Sequence, residues 1–128
     1  MTEINIDHVA IKVANIENLR KAFEVLGIEC GSTETYNEVG MKIAFLDTGE
    51  NKIELLEVID ENSLVAKDKL GIHHIALYAK NIESMFNKMK ESQLYNVMGE
   101  IRKGAHNRKI FFFKIKDDDV LYECVEDS

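Results

Sequence analysis

One stretch occurs twice in this chain. IDHVAIKVANIEN runs from Ile6 to Asn18, and IHHIALYAKNIES runs from Ile72 to Ser84. At a shift of 66 residues they share Ile6/Ile72, His8/His74, Ala10/Ala76, Asn15/Asn81, Ile16/Ile82 and Glu17/Glu83. A match at fixed shift is the trace of a duplicated structural module, and it restricts the chain to folds built from two like halves. Each copy alternates apolar with small or polar residues and then changes to helical spacing after an asparagine. That pattern predicts a strand followed by a capped helix.

Alternation along the first strand puts His8, Ala10 and Lys12 on one face and Val9, Ile11 and Val13 on the other. The second face is the one a helix covers. Asn15 caps that helix, which extends from Ile16 to about Leu26 with Ile16, Leu19, Phe23 and Leu26 as its apolar stripe and Gly27 as its stop. The face bearing His8 is left open. Three strands are expected next, near Ile28–Thr35, Met41–Leu46 and Lys52–Val58, separated by turn residues at 38–40 and 47–51.

The second half repeats this β-α-β-β-β plan. Its strand is expected at Ile72–Ala79, its helix at Ile82–Ser92, and further strands near Tyr95–Arg102, Lys109–Lys116 and Val120–Val125. The closing hairpins also correspond, IAFLDTGENKIELLE with IFFFKIKDDDVLYECVE, aligning Ile43 with Ile110 and Glu54 with Glu123. The fold class that follows is α+β. Module one covers about 4–59, a polar linker with a turn or two of helix about 60–71, and module two about 72–126, within one domain of 128 residues.

Charge and composition narrow the function classes. A net charge of -7 opposes general attraction to nucleic acid or anionic lipid. Hydrophobic residues are 45% and charged residues 30%, the balance of a soluble globular protein. The apolar runs are too short to span a bilayer, and the opening residues lack a secretory pattern, so a cytoplasmic location is expected. Cys30 and Cys124 stand alone outside any C-x-x-C pattern, so reduced thiols are expected rather than a disulfide framework or a thiolate metal site.

Modules related by a pseudo-twofold bring equivalent residues together near the axis, and four such residues stand out: His8, Glu54, His74 and Glu123. Imidazole nitrogens and carboxylate oxygens together suit a divalent metal of borderline hardness. A single strand histidine is ordinarily structural; two at the equivalent place argue for shared chemistry. Glu54 lies among Ile53, Leu55 and Leu56, where an unpaired carboxylate is costly to bury, so it either faces solvent or binds something. Glu123 faces the same choice between Tyr122 and Cys124.

His73 points to the face opposite His74, which makes His74 the ligand candidate; a bulge would reverse the assignment. Glu57 and Glu126, three residues beyond the candidate glutamates, are expected to face solvent. Asp117-Asp118-Asp119 lacks the spacing of a calcium loop and reads as a tight hairpin turn.

With DHVAIKV around His8, KIELLE around Glu54, GIHHIAL around His74, KGAHNRKIFFF before the last hairpin and VLYECVE around Glu123, the chain resembles the vicinal oxygen chelate superfamily. Within it the resemblance is to the methylmalonyl-CoA epimerase branch and to glyoxalase I relatives. It implies paired β-α-β-β-β modules in an open, barrel-like mixed sheet with helices outside, around one divalent ion held by His8, Glu54, His74 and Glu123. Cobalt, nickel, zinc and manganese are the ions such proteins use, and homodimers are common among them. The implied reaction is epimerisation through a metal-bound enolate of a substrate with two neighbouring oxygens, with Glu123 as one acid/base.

Bacterial epimerases of this kind carry a further glutamate on the strand after the glycine turn. Here that stretch is Gly40-Met41-Lys42-Ile43-Ala44, leaving Lys42 or Glu38 as substitutes that otherwise read as surface residues. The basic segment RKGAHNRK is either a solvated loop or the seat of a small-molecule CoA thioester. In the second case Arg102, Lys103, Arg108 or Lys109 meets phosphate, Gly104 admits close backbone approach, and His106 contacts substrate or carries a proton. The rival functions are a glyoxalase-like lyase acting on a thiol hemithioacetal and a metal-free sequestering protein of the bleomycin-resistance kind.

Overall fold

The computed structural model describes residues 4–49 and 51–126. The chain is α+β, with nine strands in mixed parallel and antiparallel pairing and two α-helices among the described residues. It divides into two compact units, His8–His73 and a second that joins 4–7 to the segment from His74 onward. Strand β1, Ile4–Lys12, passes from one unit into the other.

In the first unit, α1 spans Ile16–Val25, β2 Glu29–Cys30, β3 Glu34–Tyr36, β4 Met41–Asp47 and β5 Lys52–Val58. The strand order is β2-β4-β5-β1, with β3 also on β4. β5 runs parallel to β1 and antiparallel to β4. The Asn15 side chain accepts the Asn18 N–H and opens the helix. Ile16, Leu19 and Phe23 then pack with Ile11, Val13, Ala44, Leu46 and Leu55, on the strand face the alternation assigns to the helix.

Three expectations for this unit need correction. The strand near 28–35 is broken into β2 and β3, because the Arg20 guanidinium takes the carbonyls of Cys30 and Gly31 and the Thr33 hydroxyl. The linker contains turns rather than helix. Its Ser63, Ala66 and Asp68 N–H groups close separate turns onto Asp60, Ser63 and Val65. The carbonyls of Val65, Ala66 and Asp68 meanwhile accept from the Lys12 ammonium at 2.8, 3.0 and 2.5 Å. The His8 face of β1 is therefore not open: His8, Ala10 and Lys12 are all buried, and the linker covers the Lys12 end. Gly40, at positive φ, allows the linker to approach, since a Cβ there would lie 2.8 Å from that of Asp60.

In the second unit the elements are β6 Gly71–Ala79, α2 Ile82–Glu91, β7 Tyr95–Lys103, β8 Lys109–Ile115 and β9 Tyr122–Glu126. Residues 4–7 of β1 head the strand order β1-β6-β9-β8-β7. β9 is parallel to β6 and antiparallel to β8. Asn81 caps α2 through the Ser84 N–H, as Asn15 does α1. Ile82, Phe86 and Met89 pack with Ala79, Phe111, Phe113 and Cys124. Here β7 is continuous, interrupted only by a register shift between Met98 and Arg102 that includes Gly99 at φ 71°. No helix among the described residues is long and apolar enough to cross a membrane.

Candidate functional site

Each unit presents the same four side chains on the strand face turned away from its helix. In the first, His8 on β1 lies two residues before Ala10, Ala10 pairs laterally with Glu54 on β5, and Glu54 pairs with Phe45 on β4. In the second, Ala76 follows His74 by two residues on β6, pairs with Glu123 on β9, and Glu123 pairs with Phe112 on β8. The two alanines are fully buried, and their small side chains leave the strand surface between histidine and glutamate low.

The resulting distances are alike. His8 Nε2 lies 3.4 Å from Glu54 Oε1, and His74 Nε2 lies 3.7 Å from Glu123 Oε1. All four residues are buried, at 5–7% exposure, in a setting where carboxylates are rare unless paired or coordinating. Both imidazoles also meet a phenyl ring edge to face: His8 with Phe45 at 5.9 Å and 87°, His74 with Phe112 at 5.4 Å and 88°. The phenylalanines escaped the sequence reading, although the hairpin alignment that matches Ile43 with Ile110 also matches Phe45 with Phe112.

His73 lies on the other face of β6, and its Nε2 is 2.7 Å from an Asp68 carboxylate oxygen, within the first unit. Glu57 and Glu126 are not the solvent-facing groups expected. Both are half-buried, because each satisfies a backbone donor. Glu57 accepts the Ile16 N–H at the start of α1 at 2.8 Å, where the helix dipole favours a carboxylate, and Glu126 accepts the Lys109 N–H at 2.5 Å. Lys42 is likewise placed by pairing. It lies opposite Glu57, on the helix face of β4, so to the face that carries Glu54 that strand offers Met41, Ile43 and Phe45 and, exposed at its far end, Asp47.

The residues of the basic segment have separate surroundings. Arg108 makes a two-pronged ion pair with Asp7 at 2.9 and 3.1 Å and also donates to the Glu126 carbonyl. Lys109 meets Glu83 at 2.9 Å, an exposed contact that lowers the Glu83 pKa and raises that of Lys109 through the shared hydrogen bond. Lys103 donates to the Asn107 carbonyl, and the Arg102 guanidinium lies over the Phe112 ring at 5.1 Å. The space above Gly104 is taken by Ile110, whose Cδ1 a Cβ would meet at 2.7 Å, so this glycine permits packing within the protein. His106 and Asn107 follow in left-handed backbone, at φ 58° and 61°, and form an exposed corner.

Asp117 makes the tight turn before β9 at φ 66°, and the Asp118 carboxylate accepts the Asp119 and Val120 N–H groups. Both cysteines are free thiols. Burial raises the pKa of each. For Cys124 it reaches about 11, with the neighbouring Glu123 carboxylate adding to the effect.

Comparison with known proteins gives the chain's family. Residues 7–112 match the family described as the Glyoxalase/Bleomycin resistance protein/Dioxygenase superfamily. The mitochondrial methylmalonyl-CoA epimerase of Bos taurus is 30% identical over 118 residues, covering 88% of this chain and 67% of the bovine protein. A hypothetical protein of Bacillus halodurans C-125 superposes with a TM-score of 0.86 at 33% identity, over 99% of this chain and 96% of that one. Streptomyces coelicolor methylmalonyl-CoA epimerase, solved in complex with 2-nitronate-propionyl-CoA, gives a TM-score of 0.83 at 27% identity over 99% of each chain. The chain therefore belongs to the glyoxalase/bleomycin resistance/dioxygenase superfamily and shares its vicinal oxygen chelate fold with methylmalonyl-CoA epimerases.

Proposed function

We propose that this protein is a divalent-metal-dependent epimerase acting on a methylmalonyl-CoA-like thioester, with His8, Glu54, His74 and Glu123 as ligands to one ion. The observation that carries this reading is the recurrence, at equivalent places in both units, of a buried histidine beside a buried glutamate. The donor set fits the ion. Two neutral imidazoles and two carboxylates balance a divalent charge. Ligands about 2.1 Å from a metal also lie about 3.0–3.4 Å from one another, close to the separation within each pair. The ion could be cobalt, nickel, zinc or manganese, since all accept such donors.

When bound, the ion would supply Lewis-acid stabilisation of charge developing on the thioester oxygen as the carbon acid ionises. The residues of the chain do the rest. Glu123, 3.7 Å from the His74 imidazole, is assigned the second task of accepting the C2 proton. The apolar side chains Met41, Ile43 and Phe45 line the β4 surface next to Glu54 and limit water there. Arg102 and Lys103, exposed at the end of β7, are the cations assigned to the phosphates of the CoA moiety.

The test has two parts. Protein purified without added metal should contain close to one equivalent of a transition ion. In deuterated water it should exchange the C2 proton of methylmalonyl-CoA, followed by NMR. Metal-loaded protein that leaves that proton in place would exclude the epimerase, and turnover of the methylglyoxal hemithioacetal in its stead would identify a lyase. Protein that neither retains nor responds to cobalt, nickel, zinc or manganese would refute the metal centre.

A further inference from the structure

A phenyl ring lies edge to face against each histidine, and in the second unit it also meets a cation. Phe112 lies on β8 directly opposite Glu123 and packs with Ala76, Ile110 and Val125. Its ring meets the His74 imidazole nearly at right angles, the geometry in which the positive edge of one aromatic system faces the negative face of the other. The same ring lies beneath the guanidinium of Arg102, which attracts its electron-rich face. One phenyl group thus joins an exposed cation of the basic segment to a buried imidazole.

We propose that Phe112 is the positioning residue of His74, fixing the plane of its imidazole, and that Arg102 acts on His74 through Phe112 by holding the phenyl ring in place. A ligand histidine needs its ring orientation set by a neighbour, since a free χ2 rotation swings the donor nitrogen away from the metal. Backbone carbonyls or carboxylates usually set it. An aromatic wall can act in the same sense, and Phe45 occupies the corresponding position beside His8. The inference rests on the metal-centre reading only in treating His74 as a ligand; the orientation itself belongs to the metal-free protein.

The experiment combines Phe112→Leu, Arg102→Gln and the double variant, with Arg102→Lys as the conservative control. In the metal-free protein, ring-labelled histidine spectra should show His74 displaced by the Phe112 ring current in wild type. The displacement should disappear in Phe112→Leu, shrink in Arg102→Gln and persist in Arg102→Lys. Cobalt affinity, read from its visible absorption, should fall about tenfold in Phe112→Leu, the lower end of the loss usual when a ligand's orienting partner is removed. Arg102→Gln should lose less. In the Phe112→Leu background it should lose nothing further, since its route to the histidine is already gone.

Unchanged His74 spectra in Phe112→Leu would overturn the proposal. So would an Arg102→Gln effect of equal size in both backgrounds. Wild-type protein that takes up no cobalt would remove the metal centre, and the histidine spectra would still decide the positioning role. Phe112→Met keeps the apolar bulk by a different route and replaces Phe112→Leu if the latter does not fold.

Discussion

The two units place the same chemistry on different supports. His8 and His74, Glu54 and Glu123, Phe45 and Phe112, and Ala10 and Ala76 occupy equivalent positions. The helix caps repeat as well, but several polar contacts around the site differ. Lys12 of the first unit corresponds to Tyr78 of the second; the lysine gathers three linker carbonyls, whereas the tyrosine hydroxyl takes one hydrogen bond from Asn5 at 3.0 Å. Asp7 and His73 also correspond, and each has its own polar partner, Arg108 and Asp68. Glu57 steadies a helix start, while Glu126 steadies a strand start. The duplication keeps the histidine, glutamate, alanine and phenylalanine in each copy while each copy solves its local packing separately.

The largest test of this comparison removes one histidine at a time. His8→Ala and His74→Ala should each weaken metal binding by more than about a hundredfold, exceeding the effect of losing a supporting residue. Isothermal titration with zinc would measure both. A large loss in one variant and little in the other would break the equivalence of the units.

Next come the supports. Lys12→Met should destabilise the protein by about 3 kcal/mol, because it leaves three sheltered carbonyls without their charged donor. Tyr78→Phe should cost only about 1 kcal/mol, the usual worth of a single neutral hydrogen bond. Urea unfolding of the two variants measures the difference, and equal losses would show that the lysine cage carries no special weight.

The smallest expected effect concerns the cysteines, one in each unit. The folded protein holds the Cys124 thiol up to about 11 from an ordinary 9.0, so the native state favours the protonated form. Its contribution is complete below pH 9 and is lost as pH rises toward 11, where the unfolded chain has already released the proton. Wild type should therefore lose stability across that interval more steeply than Cys124→Ala. Cys30→Ala should follow wild type closely, since Cys30 is only half-buried. Identical slopes for wild type and Cys124→Ala would contradict the assignment.

Why some features were legible in the sequence follows from their range. The strand and helix of each repeat rest on alternation, a 3.6-residue stripe and an asparagine three residues before the N–H it caps, all local patterns. The hairpin correspondence led to Glu54 and Glu123, and extending it by two residues from Ile43 and Ile110 leads to Phe45 and Phe112. Arg20 breaking a strand and Lys12 gathering the linker are long side chains bonding distant carbonyls, contacts that leave no periodicity. Glu57 illustrates the same limit. Alternation assigned its face, but only the proximity of the α1 N-terminus explains why a carboxylate lies half-buried there.

The lysine cage also bears on how the chain can be cut and rejoined. A polar, lysine-containing connector between two repeats is where a protease would ordinarily nick and where a designer would open a circular permutant. In this protein the carbonyls around Lys67 are tied to Lys12, and strand β1 belongs partly to each unit. Cleavage there would not release two self-sufficient halves. The hairpin tip around Asp117, exposed and held by short-range contacts such as the Asp118 turn and the Lys114–Asp119 ion pair, is the better place to open the chain.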